Sequence, residues 1–192
     1  MSTSKNIRVF PTLIQHTNNF LHKAECDEMI KSIPSAKYHN HLCLKGKGKS
    51  THKLNDSILS IIDKDISKKI NTKIEEYVFD YGVRPLKIHN SWVNIQNKNS
   101  VLTKHSHPDS IVSGVIYLKV DSKSSKTYFY SPNVYRTFVD FIKQTEYNID
   151  NYFFTPRTGD LILFPSWLMH GSNEDKNNSA KRISFSFNTV YR

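Results

Sequence analysis

From Pro85 onward the chain consists of short β-branched and aromatic runs cut by turn residues, and this texture restricts the fold more than any other feature. The runs are LKIHNSWVNIQNKN (86–99), SVLTKHSH (100–107), SIVSGVIYLKV (110–120), KTYFYSP (126–132), NYFFTP (151–156), DLILFP (160–165), WLMHGS (167–172) and RISFSFNTVYR (182–192). Short runs of this composition, each closed by Pro, Gly, Asn or Ser, read as strands of an antiparallel sandwich or barrel. Residues 133–151 interrupt the series and read as a long functional loop or an insert with one short helix.

The first 82 residues have a different period. IRVFPTLIQ (7–15) reads as a short strand interrupted at Pro11. Residues 18–33 carry Phe20, Leu21, Ala24, Met29 and Ile30 at helical spacing and stop at Pro34. Residues 54–81 place Ile58, Ile61, Ile62, Ile66, Ile70, Ile74 and Tyr77 mostly three or four apart, which predicts one or two amphipathic helices ending at Gly82. Helices first and strands afterwards predict a mostly β fold with N-terminal helices supporting a jelly-roll core. No repeat or second domain is visible. The expected organisation is a single domain over 1–192, with about 1–82 as support and about 85–192 as core.

Composition narrows the function classes. A hydrophobic content of 38% and an aromatic content of 12% are those of a globular chain. No apolar run approaches the ~20 residues of a membrane span. MSTSKNIRVFPTLIQ has no apolar signal core, so the expected location is cytoplasmic. Cys26 and Cys43 are too few for a disulfide framework and suit a reducing compartment. The net charge of +10 is mostly lysine scattered among asparagine and isoleucine, which argues against nucleic acid as the main partner. CLKGKGKSTHK (43–53) contains Gly48-Lys49-Ser50, but Cys43 stands where a phosphate-binding loop needs its first glycine. That segment reads instead as a mobile basic loop able to close over a substrate. Oligomeric state is not set by the sequence, and a dimer is one option.

Two segments carry chemistry. In KHSHPDS (104–110), His105, His107 and Asp109 are each two apart, so on an extended strand all three would face one way. By itself such a run is as well explained by a polar loop with solvated histidines. His170, in WLMHGS, supplies a distant partner for the cluster. The last strand adds a different signal. Alternation in RISFSFN puts Arg182, Ser184 and Ser186 on one face and Ile183, Phe185 and Phe187 on the other. Facing inward, Arg182 and Ser184 could grip a carboxylate, the guanidinium through two hydrogen bonds and the hydroxyl through a third.

This pattern of His-x-(His or Asp), a distal His and then Arg-x-Ser resembles the Fe(II)- and 2-oxoglutarate-dependent oxygenases. VFPT (9–12), SWVNIQ (91–96), HSHPDSIVSGVIYL (105–118), GDLILFPSWLMHGS (159–172) and RISFSFN (182–188) are similar to a bacterial and phage group of them. The resemblance covers almost the whole chain, most specifically the two histidine segments and least 18–85 and 133–151. It implies a double-stranded β-helix (jelly-roll, cupin-like) core, Fe(II), 2-oxoglutarate as cosubstrate, and hydroxylation of a substrate with release of succinate and CO₂. It also implies that Arg182 and Ser184 hold the C5 carboxylate. Tyr117, facing the same way as Ser113 and Val115, is a further donor, and Asn94 is a candidate for the C1 end. The substrate is not implied, and a protein side chain or a small molecule both fit.

His107 and His170 belong to either ligand set that the resemblance allows. Asp109 would complete a set of two imidazoles and a carboxylate, and His105 a set of three imidazoles. Pro108 favours the second, because it cannot donate in a ladder and tends to end a strand before Asp109. Asp109 is then expected to orient an imidazole by accepting its free N–H. Two other functions compete: a cupin-like three-histidine dioxygenase without 2-oxoglutarate, and a non-enzymatic binding barrel. An inward Arg182-x-Ser184 argues against the first, because an enzyme without a cosubstrate has no use for a carboxylate clamp there.

Overall fold

The computed structural model describes every residue except 1–3, 7, 54–55, 134–138 and 174. In chain order its elements are β1 (Gln15–Thr17), α1 (Lys23–Ser32), β2 (Leu44–Lys45), β3 (Lys49–Ser50), α2 (Lys64–Tyr81), β4 (Leu86–Asn97), β5 (Val101–Leu102), β6 (Val112–Lys119), β7 (Thr127–Tyr130), β8 (Asn151–Phe154), β9 (Leu161–Pro165), β10 (His170–Gly171) and β11 (Lys181–Tyr191). Short 3₁₀ turns cover Ser35–Lys37 and Leu59–Ile61. All eight runs after Pro85 contain a strand.

The larger sheet has the order β1-β9-β6-β11-β4-β3, with every pairing antiparallel. A smaller sheet, β10-β7-β8, faces it. Tyr117, Ile162 and Phe164 of the larger sheet pack against Phe129 and Phe154 of the smaller one. On the larger sheet's other face, Val93, Ile116, Ile183 and Phe185 form one core with the helices. The two faces of β11 therefore have different jobs, which is why nearly every residue of the strand is buried.

α2 forms because Ile66, Ile70, Ile74 and Tyr77 make one buried stripe, each side chain contributing about 1.5–3 kcal/mol. Asp63 caps its start, accepting from the N–H groups of Asp65 (2.8 Å) and Ile66 (3.2 Å). Gly82 ends it in the left-handed region (φ 73°) and donates its N–H to Val78 O. α2 lies on β4 and α1 on β6.

Four expectations need correction. Residues 8–14 form no strand; Phe10 has φ 60° and Pro11 lacks an N–H, so pairing starts only at Gln15. α1 begins at Lys23, five residues later than its apolar period, because Leu21 is tied by its N–H to Gly159 O and the His22 N–H is capped by the Glu25 carboxylate at 2.8 Å. Of the two readings of 133–151, the insert with a short helix is the one to correct: residues 139–150 form turns and no helix, and 134–138 lie outside the described residues. The basic segment 43–53 is not a free loop, since β2 pairs with β5 and β3 with β4. Between β2 and β3 the chain turns at Gly46, whose φ of 80° suits glycine.

Candidate metal centre

Register on β11 assembles one polar surface inside the fold. Arg182 pairs with Gln96, Ser184 with Asn94 and Ser186 with Trp92 on β4. On its other side Ser184 pairs with Tyr117, Ser186 with Val115 and Asn188 with Ser113 on β6. Directly opposed residues share a face, so these side chains line a common wall. Most of them border a narrow cavity that reaches from Arg182 to His107 and His170.

The histidines come from the opposite side. β9 ends at Pro165, the chain turns at Ser166-Trp167, and β10 starts at His170. His170 and His105 exchange both backbone hydrogen bonds at 2.9 Å. The His107 N–H donates to Ser166 O at 2.9 Å. Both histidines of the His-x-His segment are thus pinned to the 166–170 turn by backbone contacts. Potential ligand atoms of His105, His107 and His170 lie within 4.8 Å of one another, the only such group among the described residues. Gly171 permits this crossing, since a Cβ there would sit 2.8 Å from Leu102 O and 3.0 Å from Lys104 N.

Asp109 stands apart from the group. Pro108-Asp109 forms an exposed turn, with Asp109 at φ 61°, so the extended geometry that would align it with His105 and His107 is broken. The expected orienting role falls to other groups. His105 Nδ1 is 2.7 Å from Thr103 O and His170 Nδ1 is 2.9 Å from Leu168 O. A ring nitrogen facing a carbonyl carries the proton, which leaves Nε2 of each ring with a bare lone pair. His107 Nδ1 meets the Asn188 amide at 3.3 Å, and its Nε2 is 3.2 Å from His170 Nε2.

Electrostatics suit a metal. Burial pushes His107 down to about 3, with the neighbouring imidazoles adding to the shift. His170 is held well below its ordinary value, first by burial and then by His105 and His107. His105 is lowered too, mainly by burial, although its bond to Thr103 opposes this. Three neutral, converging imidazoles form a donor set for a first-row divalent cation.

At the far end of the cavity Arg182 is 4% exposed. It donates from Nη1 to Gln96 Oε1 (2.5 Å), from Nη2 to Thr127 Oγ1 (3.0 Å) and from Nε to Ser125 O (3.2 Å). All three acceptors are neutral. Among the described residues it forms no ion pair. Tyr117 lies beneath it, ring centroid 5.1 Å from Cζ, and its hydroxyl is 2.8 Å from Thr127 Oγ1. Burial raises the phenol's pKa, which keeps it a donor. Asn94 and Ser184 line the same cavity.

Five residues here escaped sequence reading. Gln96 and Asn188 continue alternations already visible at Asn94 and at Arg182-Ser184-Ser186, and extending each by two residues would have found them. Thr127 has no local signal. Neither has the wall by the metal site, where His41 Nε2 and His52 Nδ1 lie 3.2 Å apart and the His52 ring stands edge-on to Trp92.

Among solved structures, HygX from Streptomyces hygroscopicus, with nickel and 2-oxoglutarate bound, superposes with a TM-score of 0.63 at 12% identity, over 94% of this chain and 83% of that one. The viral collagen prolyl hydroxylase of Paramecium bursaria Chlorella virus-1 gives 0.58 at 15% identity, over 93% and 96%. A prolyl-4-hydroxylase from Pseudomonas putida gives 0.61 at 10% identity, over 94% of each chain. At these identities the likeness establishes the fold, a jelly-roll double-stranded β-helix. No curated protein matches the chain in sequence. The family model described as "Putative 2OG-Fe(II) oxygenase" matches residues 90–188, which hold all three histidines and Arg182. The chain therefore belongs to the 2OG-Fe(II) oxygenase family.

Proposed function

We propose that His105, His107 and His170 hold Fe(II), that Arg182 binds the C5 carboxylate of 2-oxoglutarate, and that the enzyme hydroxylates a protein side chain or a small molecule. One observation carries the reading: a buried guanidinium, without an ion pair among the described residues, shares a cavity with His107 and His170, two of three convergent neutral imidazoles. A buried cation held only by neutral acceptors is costly unless an anion joins it. Thr127, Tyr117 and Ser184 supply hydroxyls beside it, and Asn94 offers an amide for the C1 end. The iron, once bound with 2-oxoglutarate, supplies the oxidation of substrate by dioxygen coupled to decarboxylation to succinate.

The chain's own part is binding and exclusion. The carbonyls of Thr103 and Leu168 fix two imidazoles with Nε2 toward the cavity. Phe129 and Phe164 pack around His170 and keep water from its back. A cupin-like reaction without 2-oxoglutarate leaves Arg182 without a use. The net charge of +10 comes mostly from lysines scattered along the chain, so we read the substrate as other than nucleic acid. Among the described residues no helix is long and apolar enough to cross a membrane. We read the whole of 1–192 as one oxygenase domain acting in the cytoplasm, where a ferrous site and free Cys26 and Cys43 stay reduced.

Anaerobic titration with Fe(II) and 2-oxoglutarate, followed through the visible charge-transfer band, tests metal and cosubstrate together. The band is expected only when both are present. A band that forms without 2-oxoglutarate, or none with both, overturns the reading, as does oxidation of a substrate without release of succinate.

A further inference from the structure

His107 differs from its two partners in what holds its ring. His105 and His170 each face a carbonyl, which can only accept, so their tautomer is fixed. His107 faces an amide, which can donate or accept. As the side chains stand, Asn188 Nδ2 donates to His107 Nδ1 at 3.3 Å. The proton of a neutral His107 is then on Nε2, 3.2 Å from the bare Nε2 of His170. That arrangement satisfies both rings without a metal, and it blocks the nitrogen that a metal needs.

The amide belongs to a buried chain of reversible groups. Asn188 Oδ1 accepts from Ser113 Oγ at 2.7 Å, and Ser113 Oγ is 2.8 Å from Ser166 Oγ. Asn188, Ser113 and Ser166 are 4%, 2% and 0% exposed, so bulk water does not replace these bonds. Hydroxyls donate or accept equally well. If the amide turns over, Oδ1 accepts from His107 Nδ1–H, Nδ2 donates to Ser113, and Ser113 donates to Ser166. Every bond of this buried chain survives with its direction reversed, the Nε2–Nε2 bond to His170 is given up, and both Nε2 atoms are left bare.

We propose that Asn188 is a positioning residue that sets the tautomer of His107, blocking Nε2 without metal and freeing it when metal binds. The role rests on His107 being a ligand. Unlike a plain scaffold, it makes an acceptor at position 188 more valuable than an amide. Asn188→Asp keeps the shape, accepts only, and can take hydrogen bonds from both His107 Nδ1–H and Ser113.

The test uses Zn(II) as probe, with affinity by competition and the His107 ring read by ¹⁵N–¹H NMR. Asn188→Ala is expected to weaken Zn(II) by about 10–100-fold, as loss of a group orienting a ligand does. Asn188→Asp is expected to bind Zn(II) at least as tightly as the unmutated chain. In the unmutated protein the His107 proton should lie on Nε2 without metal and on Nδ1 with it; in Asn188→Asp it should lie on Nδ1 in both. Asn188→Asp as weak as Asn188→Ala, or a His107 proton on Nδ1 in the metal-free unmutated protein, overturns the proposal. His107→Ala separates this from the ligand assignment: if it keeps Zn(II), the ligand set is wrong; if it loses Zn(II) while Asn188→Ala does not, only the role of Asn188 fails.

Discussion

At the residue scale the histidines, Asp109 and Arg182 give sharp contrasts. His107→Ala and His170→Ala each remove one of three converging nitrogens, so both should lose Fe(II) on desalting, measured as iron per chain. Near-stoichiometric iron in either would refute the ligand set. Asp109 occupies an exposed turn away from the cluster, and exposed substitutions usually stay within about 0.5 kcal/mol. Asp109→Ala should therefore keep Fe(II) affinity within about threefold, a smaller effect than an orienting role would give. Arg182→Ala should leave iron and fold intact but weaken 2-oxoglutarate by about 2–5 kcal/mol, roughly 30- to several-thousand-fold. Arg182→Lys should recover only part, since a point charge cannot reproduce the fork. Ser184→Ala should cost less, about 1–3 kcal/mol. If Arg182→Ala binds 2-oxoglutarate normally, the clamp lies elsewhere.

At the element scale, β10 is two residues long and yet sets the metal site, because Gly171 lets it press against 102–104. An added methyl must push against backbone atoms, which cannot give way as a side-chain tip does. Gly171→Ala should lower stability by about 1–3 kcal/mol and weaken metal binding as well, since His105 and His170 are joined across this crossing. A variant with normal iron affinity would show that the ladder tolerates the shift. Such crossings explain what was legible in the sequence. Periodicity and turn residues revealed the eight strand-bearing runs and α2, because those signals are local. Alternation placed Arg182 and Ser184 inward for the same reason. The failures are long-range: Leu21 held by Gly159 delays α1, pairing with β4 and β5 fixes the basic segment, and Thr127 reaches Arg182 only through tertiary packing. Asp109 is expected to orient an imidazole, but after Pro108 the chain turns outward and leaves it exposed, which no local signal distinguishes from a partly buried turn.

At the scale of the whole molecule, metal binding and folding are linked. His107 and His170 are 63 residues apart in sequence, and they meet only when β10 lies beside the 102–107 segment. The unfolded chain offers no such triad, so a metal that binds the native state stabilises it by mass action. At a free metal concentration of 100 times Kd the gain is about 2.7 kcal/mol. For a chain of this size each kcal/mol moves Tm by about 2–4 °C, so anaerobic Fe(II) should raise Tm by about 5–10 °C. A chelator should reverse the shift. 2-Oxoglutarate should add a further rise only after the metal, because its keto-acid end needs the ion while Arg182 holds the other. His170→Ala should show neither rise. Arg182→Ala should keep the metal's rise and lose the cosubstrate's. A metal shift of equal size in His170→Ala would mean that the ion stabilises the fold from another site, and the assignment of the three histidines would fall with it.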